Sequence, residues 1–488
     1  MWRRDTSLPE VTNSLVSSIQ MWSQSVTCSL EDSKQKKTIY ALDGIRALTC
    51  LGVVSFHLNL RAYIAHVWSP FLDNFGAMIS SLALIGETGV LLFFLLSGFL
   101  LFLPYAKAML FDSDWPSWQR FYIRRIFRIF PGYYVALFLM LLYLSPEYLR
   151  AANWDKLFLF LTFRMDFPAT YQQLNAPFWT LAIEVQFYLV LPLIAWLIGR
   201  LVRGGSLRLR MCKLSFCLAL LWMWGFITRY WGFKLADTHQ LDTIIPHEFA
   251  QMLRPYIFGT VGKFFESFAI GMSVCMLYIY LHSAPNAANL KGRISRFCPL
   301  ILGAGLVLLF AVNIWHYYVI YMIHLSFHFL DPYQNFMESY RDIVMQDGFS
   351  FAYGFILFAV LHGSRWLQRP LEWAPLRWIG FISFSLYMWH DPFVIYFFYM
   401  LLPKFQNMGW NVTAQYTVYV LWVDVTTIPL AFTLYRWVEL PGMRLGEKLC
   451  KLIERTPQKI KIAPIAEPAA VEDVPAVLSG SSSTKNVV

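Results

Sequence analysis

Apolar residues in this chain come in long blocks, and polar residues crowd into the intervals between them. Ten blocks read as spans, at about 46–68, 81–103, 132–149, 178–199, 214–233, 261–282, 298–321, 349–363, 378–402 and 414–437, the third and eighth being short. A helix needs about 20 apolar residues to cross roughly 30 Å of hydrocarbon. Backbone polar groups facing lipid must be satisfied within the segment, so such blocks predict helices. The expected fold is all-α, a polytopic transmembrane helical bundle of about ten helices. The stretch LFLFLTF at 157–163 is too short to cross and is assigned to the interface.

Composition agrees with the pattern. Only 14% of the 488 residues are charged and 57% are hydrophobic, against about 25% charged in a soluble domain. The net charge of +10 raises nucleic acid as a partner. The Lys and Arg residues instead form short clusters between apolar blocks, so no nucleic-acid partner is expected. Lys34, Lys36 and Lys37 precede span one; Arg120, Arg124, Arg125 and Arg128 follow span two. Further clusters lie at 200–213, 291–296 and 365–377, while 69–80 has no basic residue and 403–413 has only Lys404. This alternation predicts both termini in the cytosol. The one sequon, Asn411-Val412-Thr413, falls in a connection assigned outside.

Three regions are expected: a polar cytosolic extension at 1–39, a membrane domain at 40–447, and a largely disordered cytosolic tail at 448–488. No cleavable signal peptide is expected, because residues 1–40 are polar. The seven cysteines form no CxxC pair and read as small buried hydrophobes. The chain is expected to be an integral multi-pass protein of the plasma membrane or an endomembrane, with membrane lipids as partners and its oligomeric state open.

Ionisable groups at membrane depth are costly and mark function by default. Arg46 and His57 are eleven residues apart in LDGIRALTCLGVVSFH. That is close to three turns, so both project from one face about 16 Å apart. A snorkelling Arg and a structural His is the alternative. His390, in ISFSLYMWHDPF, lies at a similar depth and is followed by Asp391 and Pro392, where the helix is expected to kink or open. His390 could position a substrate, orient His57 or pack. Glu184 and Tyr188, one turn apart in FWTLAIEVQFYLVLP, read either as an acceptor-hydroxyl or imidazolium site or as a helix fastener. Arg125 and Arg128 share a face in WQRFYIRRIFRIFPGYY, with Arg124 and Arg120 adjacent. Guanidinium groups bind phosphate bidentately; attraction to anionic lipid competes as an explanation. His324 and His328 have the i, i+4 spacing of metal ligands but no certain third ligand, so no metal is expected.

Six segments in one order resemble the acyltransferase 3 family of membrane enzymes over residues 40–445. They are LDGIRALTCLGVVSFH, GVLLFFLLSGFLL, RRIFRIFPGYY, FWTLAIEVQFYLVLP, ISFSLYMWHDP and RWVELP. Leu91 stands where the family often has Asp, and no appended hydrolase-like domain is expected in the short tail. The resemblance implies that Arg46 and His57 belong to a reaction centre and that Arg125 and Arg128 lie near the phosphates of a coenzyme A donor. It implies less for Glu184, Tyr188, His390 and Glu439.

The expected activity is O-acyl transfer, with acetyl favoured by the family, from cytosolic acyl-CoA as co-substrate to a hydroxyl of a glycan, lipid or small molecule. His57 is the expected general base, with Arg46 and Glu184 at the centre. Arg124, Arg125, Arg128, Ser97 and Gly98 are expected along the donor, and Tyr188, Trp179 and His390 along the acceptor. Direct transfer and an acyl-histidine intermediate both remain open. A transporter or flippase of acylated molecules, and a non-catalytic receptor or scaffold, are the rivals.

Overall fold

The computed structural model describes residues 39–67, 84–236, 238, 240, 246–285, 287–320 and 328–455. Its helices are α1 (Tyr40–Ile64), α2 (Gly89–Phe111), α3 (Trp118–Tyr143), α4 (Trp154–Leu161) and α5 (Phe178–Val202). After these come α6 (Leu207–Tyr230), α7 (His247–Ile257), α8 (Phe265–Ser283), α9 (Ala288–Ile320) and α10 (Gln334–His362). The chain continues with α11 (Arg365–Gln368), α12 (Ala374–Tyr396), α13 (Leu402–Asn407), α14 (Val412–Leu434) and α15 (Leu440–Arg455). No strand occurs among the described residues. The all-α bundle and the integral, multi-pass character follow.

Nine helices among the described residues are long and apolar enough to cross a membrane. The tenth expected span, α12, is helical but carries Arg377, His390 and Asp391. It escapes the apolar requirement because it is not a lipid-facing element: it packs between α1 and α14. Gly380 abuts the Asp43 backbone near one end of α1, and His390 meets His57 toward the other. α12 therefore runs the height of the bundle beside α1.

One close crossing sets the centre. α2 and α8 pack through reciprocal glycines: a Cβ on Gly98 would fall 2.3 Å from the Phe268 carbonyl oxygen, and one on Gly271 2.0 Å from that of Leu95. Small residues let backbones approach where lipid supplies no hydrophobic drive. Outward faces remain apolar, as lipid demands; on α5, Leu189, Leu193 and Leu197 are exposed while Leu181, Val185 and Tyr188 are buried.

The expected interfacial segment is α4, eight residues long with Trp154, Phe158 and Leu161 exposed. Buried polar contacts staple the end of the bundle remote from the basic connections. Lys263 bonds Asp166 and, at 2.9 Å, Gln186 Oε1. Asn411 caps α14, its Oδ1 accepting from Ala414 N at 2.8 Å, which gives the sequon asparagine a structural duty.

The last described helix runs across position 447. The helix continues to Arg455 because Gly442 and Gly446 sit close against Phe127 of α3, and Glu447 and Glu454 pair with Arg124 and Arg120. His324, the 1–38 extension and the chain from 456 onward lie outside the described residues.

Candidate active site

A cavity of about 360 Å³ opens between α1, α2, α3, α5 and α12. Its chemistry comes from helical repeats on three of these. On α5, Thr180, Glu184 and Tyr188 follow the i, i+4, i+8 line of one face. On α12, Ser383 and Tyr387, and Phe384 and Met388, form two adjacent i, i+4 pairs, and on α3 Arg125 and Arg128 are three apart. Arg46 of α1 and Ser97 of α2 complete the polar lining.

The arginines are uncommitted. Arg46 and Arg125 make no hydrogen bond or ion pair among the described residues, and Arg128 reaches only Met443 Sδ at 4.0 Å. The single lining carboxylate is already engaged: Ser97 Oγ donates to Glu184 Oε1 at 2.8 Å and Tyr188 OH to Oε2 at 3.1 Å. Three cations face one carboxylate that carries two hydrogen bonds, so the cavity suits a polyanionic ligand.

Beyond Tyr387 stands the histidine pair. His390 Nε2 lies 2.8 Å from His57 Nδ1, and His390 Nδ1 lies 3.3 Å from the Leu386 carbonyl. A carbonyl only accepts, so His390 Nδ1 carries a proton. With both rings neutral, His390 Nε2 is then an acceptor, His57 Nδ1 is the donor, and His57 Nε2 holds a free lone pair. In that tautomer His57 Nε2 is chemically able to accept a proton. His57 is half-buried and directed into the bundle rather than at lipid; His390 is 0% exposed. Tyr387 links the pair to the cavity: its ring centroid is 5.9 Å from that of His390, and its hydroxyl is 2.8 Å from Thr180 Oγ1.

Arg46, Arg125, Arg128, Ser97, Glu184 and Tyr188 therefore share one cavity, and His57 and His390 touch each other. Three expected residues fall elsewhere. Arg124 is exposed and holds Glu447 at 3.2 and 3.3 Å. Gly98 is a packing residue against α8. Trp179 lies outside the cavity lining, its ring 5.7 Å from Tyr171 and from Phe264. Tyr171, outside the spans, has its phenol pushed up to about 12 by burial. Glu439 sits behind α12, where Ser385 donates to it. Thr180, Ser383 and Tyr387 were not anticipated, although Tyr387 precedes His390 by three residues and Thr180 precedes Glu184 by four, the spacings of a shared helix face. No cluster of three metal-binding side chains occurs among the described residues.

The sequence profile of the acyltransferase 3 family, described as an acyltransferase domain, matches residues 39–436. The chain is 24% identical over 389 residues to the peptidoglycan O-acetyltransferase OatA of Listeria monocytogenes, covering 74% of this chain and 50% of that protein. It is 25% identical over 428 residues to the putative peptidoglycan O-acetyltransferase YrhL of Bacillus subtilis, covering 84% and 55%. A putative O-acetyltransferase of Staphylococcus aureus is 24% identical over 442 residues, covering 85% and 59%. The chain thus spans little more than half the length of these relatives. No solved structure matches it.

Proposed function

The chain belongs to the acyltransferase 3 family, and on that premise we propose that it is a membrane O-acetyltransferase drawing its acyl group from acyl-CoA. The observation that carries the donor is the cavity: three arginines without carboxylate partners, on α1 and α3, at its basic end. Coenzyme A brings several phosphates, and guanidinium groups are the side chains best shaped to hold them. The half-buried Ser97 and the hydrogen-bonded Glu184 and Tyr188 then line the way for the pantetheine arm toward Tyr387. Glu184, with both oxygens engaged, serves as a fixed counter-charge and not as the proton acceptor.

His57 is the base. Its free Nε2 takes the proton of the acceptor hydroxyl as that oxygen attacks the thioester carbonyl. The C–S bond breaks, the thiolate leaves and takes up a proton, and the ester remains on the acceptor. His390 holds His57 Nδ1 and stabilises the imidazolium that forms. The acceptor is a hydroxyl of a saccharide, the class that the names of the relatives favour.

The deciding experiment follows release of free coenzyme A thiol from acetyl-CoA by purified protein, with and without glycan extracts, and weighs the glycans by mass spectrometry. Wild type is expected to release thiol and add an acetyl increment, and His57→Ala to do neither. A folded His57→Ala protein with full activity removes the assignment of the base; transport of acylated molecules without any use of acetyl-CoA removes the enzyme.

A further inference from the structure

Pro392 lies inside α12, two residues beyond His390. Proline has no N–H, so the carbonyl four residues before it loses its helical donor. That carbonyl belongs to Met388, a cavity residue, and Asn175 Nδ2 donates to it at 2.9 Å. The next amide, Ala176 N, in the segment leading into α5, donates to Asp391 Oδ2 at 3.3 Å. Both bonds are donated from the 175–176 segment to α12, one to a helix carbonyl and one to a helix carboxylate, and their acceptors bracket His390. Asn175 and Asp391 are each 1% exposed. Neither bond competes with water.

The junction also determines what faces what. Asn175 and Ala176 end the segment from which α5 starts, and α5 brings Thr180 and Glu184 into the cavity. α12 brings Tyr387 and His390. We propose that Asn175 and Asp391 are positioning residues of the reaction centre: they mend the break that Pro392 makes in α12 and so hold the His57–His390 pair at one height against Thr180 and Glu184. The proposal rests on the reading of that pair as the reaction centre.

The test is a double-mutant cycle of Asn175→Leu and Pro392→Ala in the full-length protein, reconstituted in lipid. Asn175→Leu alone is expected to lower the turnover of acetyl-CoA about tenfold, with KM for acetyl-CoA, governed by the arginines at the other end of the cavity, within about twofold. Pro392→Ala returns an N–H to the Met388 carbonyl. In that background Asn175→Leu is expected to cost less than about twofold. Asp391→Asn keeps an acceptor for Ala176 N and is expected to retain turnover that Asp391→Leu loses. A general weakening of the fold would lower the amount of active protein and would ignore residue 392, so an equal Asn175→Leu loss in both backgrounds overturns the proposal. A second readout needs no reaction: the rate at which diethyl pyrocarbonate modifies His57 and His390, followed by peptide mass spectrometry. It is expected to rise in Asn175→Leu and to return toward wild type in the double variant. If wild type turns over no acetyl-CoA, the donor reading fails while the modification rates still decide the clasp; unchanged rates in Asn175→Leu overturn it.

Discussion

Arg124 and Arg125 are neighbours in the chain with opposite surroundings. One is exposed and paired with Glu447 at 3.2 Å; the other faces the cavity with no partner among the described residues. Consecutive helical residues point about 100° apart, so a run of arginines in sequence shows a basic segment but not which members look inward. Substitution should separate them. Arg125→Ala and Arg128→Ala are each expected to raise KM for acetyl-CoA about tenfold, the loss of a charge-assisted phosphate contact of about 1.5–3 kcal/mol. Arg124→Ala should leave KM within about twofold, because an exposed ion pair is worth at most about 1 kcal/mol. Steady-state kinetics on the three variants reads the difference. The histidines offer a finer check. Since His390 serves His57 as an acceptor, His390→Gln, whose amide oxygen can accept from His57 Nδ1, should keep at least about tenfold more turnover than His390→Leu. Equal losses would mean that His390 acts by shape alone. The equal depth of the two histidines was readable from their positions in spans one and nine; their direct bond, which depends on α1 and α12 lying side by side, was not.

At the scale of elements, helix type was legible because lipid imposes one rule on every backbone. Length was not: the expected short spans 132–149 and 349–363 belong to helices Trp118–Tyr143 and Gln334–His362, whose polar starts the apolar pattern does not mark. Partners were not legible either, because every apolar block satisfies that rule equally. Gly98 shows the limit. Next to Ser97 in a cavity helix, it reads as part of a substrate path, yet it turns away and admits the Phe268 backbone. Gly98→Val should therefore act on stability rather than on donor affinity. An added side chain 2.3 Å from the Phe268 carbonyl oxygen forces α2 and α8 apart, and overpacking of this kind costs about 1–3 kcal/mol or more. The expected result is a lower midpoint of thermal unfolding in detergent, with KM for acetyl-CoA unchanged in the protein that remains folded. α15 is the reverse case. It lies after the last expected span and across the expected start of the tail at 448, yet Gly446 and Cys450 turn inward to α3 while Glu447 and Glu454 reach its arginines. A helix that fits the flank of α3 in this way supports the element that presents Arg125 and Arg128.

For the whole molecule, the basic clusters read along the chain collect at one end of the bundle. Arg210 bonds Asp112 at 2.7 Å, Arg203 lies over the Trp115 ring at 5.7 Å, and Arg377 stands 3.8 Å from Asp43. These contacts draw the start of α1 and the α2–α3, α5–α6 and α10–α12 connections to a common face, and the ion pairs of α15 with α3 bring the end of α14 there too. The cavity arginines lie close in sequence to these contacts, Arg46 three residues after Asp43 on α1 and Arg125 and Arg128 in the first turns of α3 beside Arg124. A cytosolic donor requires that this common face be the cytosolic one, which the excess of Lys and Arg also favours. Sidedness can be read with single cysteines introduced into a variant lacking the native ones and a membrane-impermeant maleimide on intact cells. Gly205→Cys, in the α5–α6 connection, should label only after permeabilisation, whereas Gly409→Cys, between α13 and α14, should label from outside. Both glycines are exposed and have positive φ, 88° at Gly205 and 71° at Gly409, so each replacement carries backbone strain confined to its connection; at Gly409 nothing lies within 4 Å of the added atom, and at Gly205 the flexible end of Leu209, at 2.7 Å, must shift. The reverse pattern would put the three arginines on the side where coenzyme A is absent, and the proposed donor could not reach them.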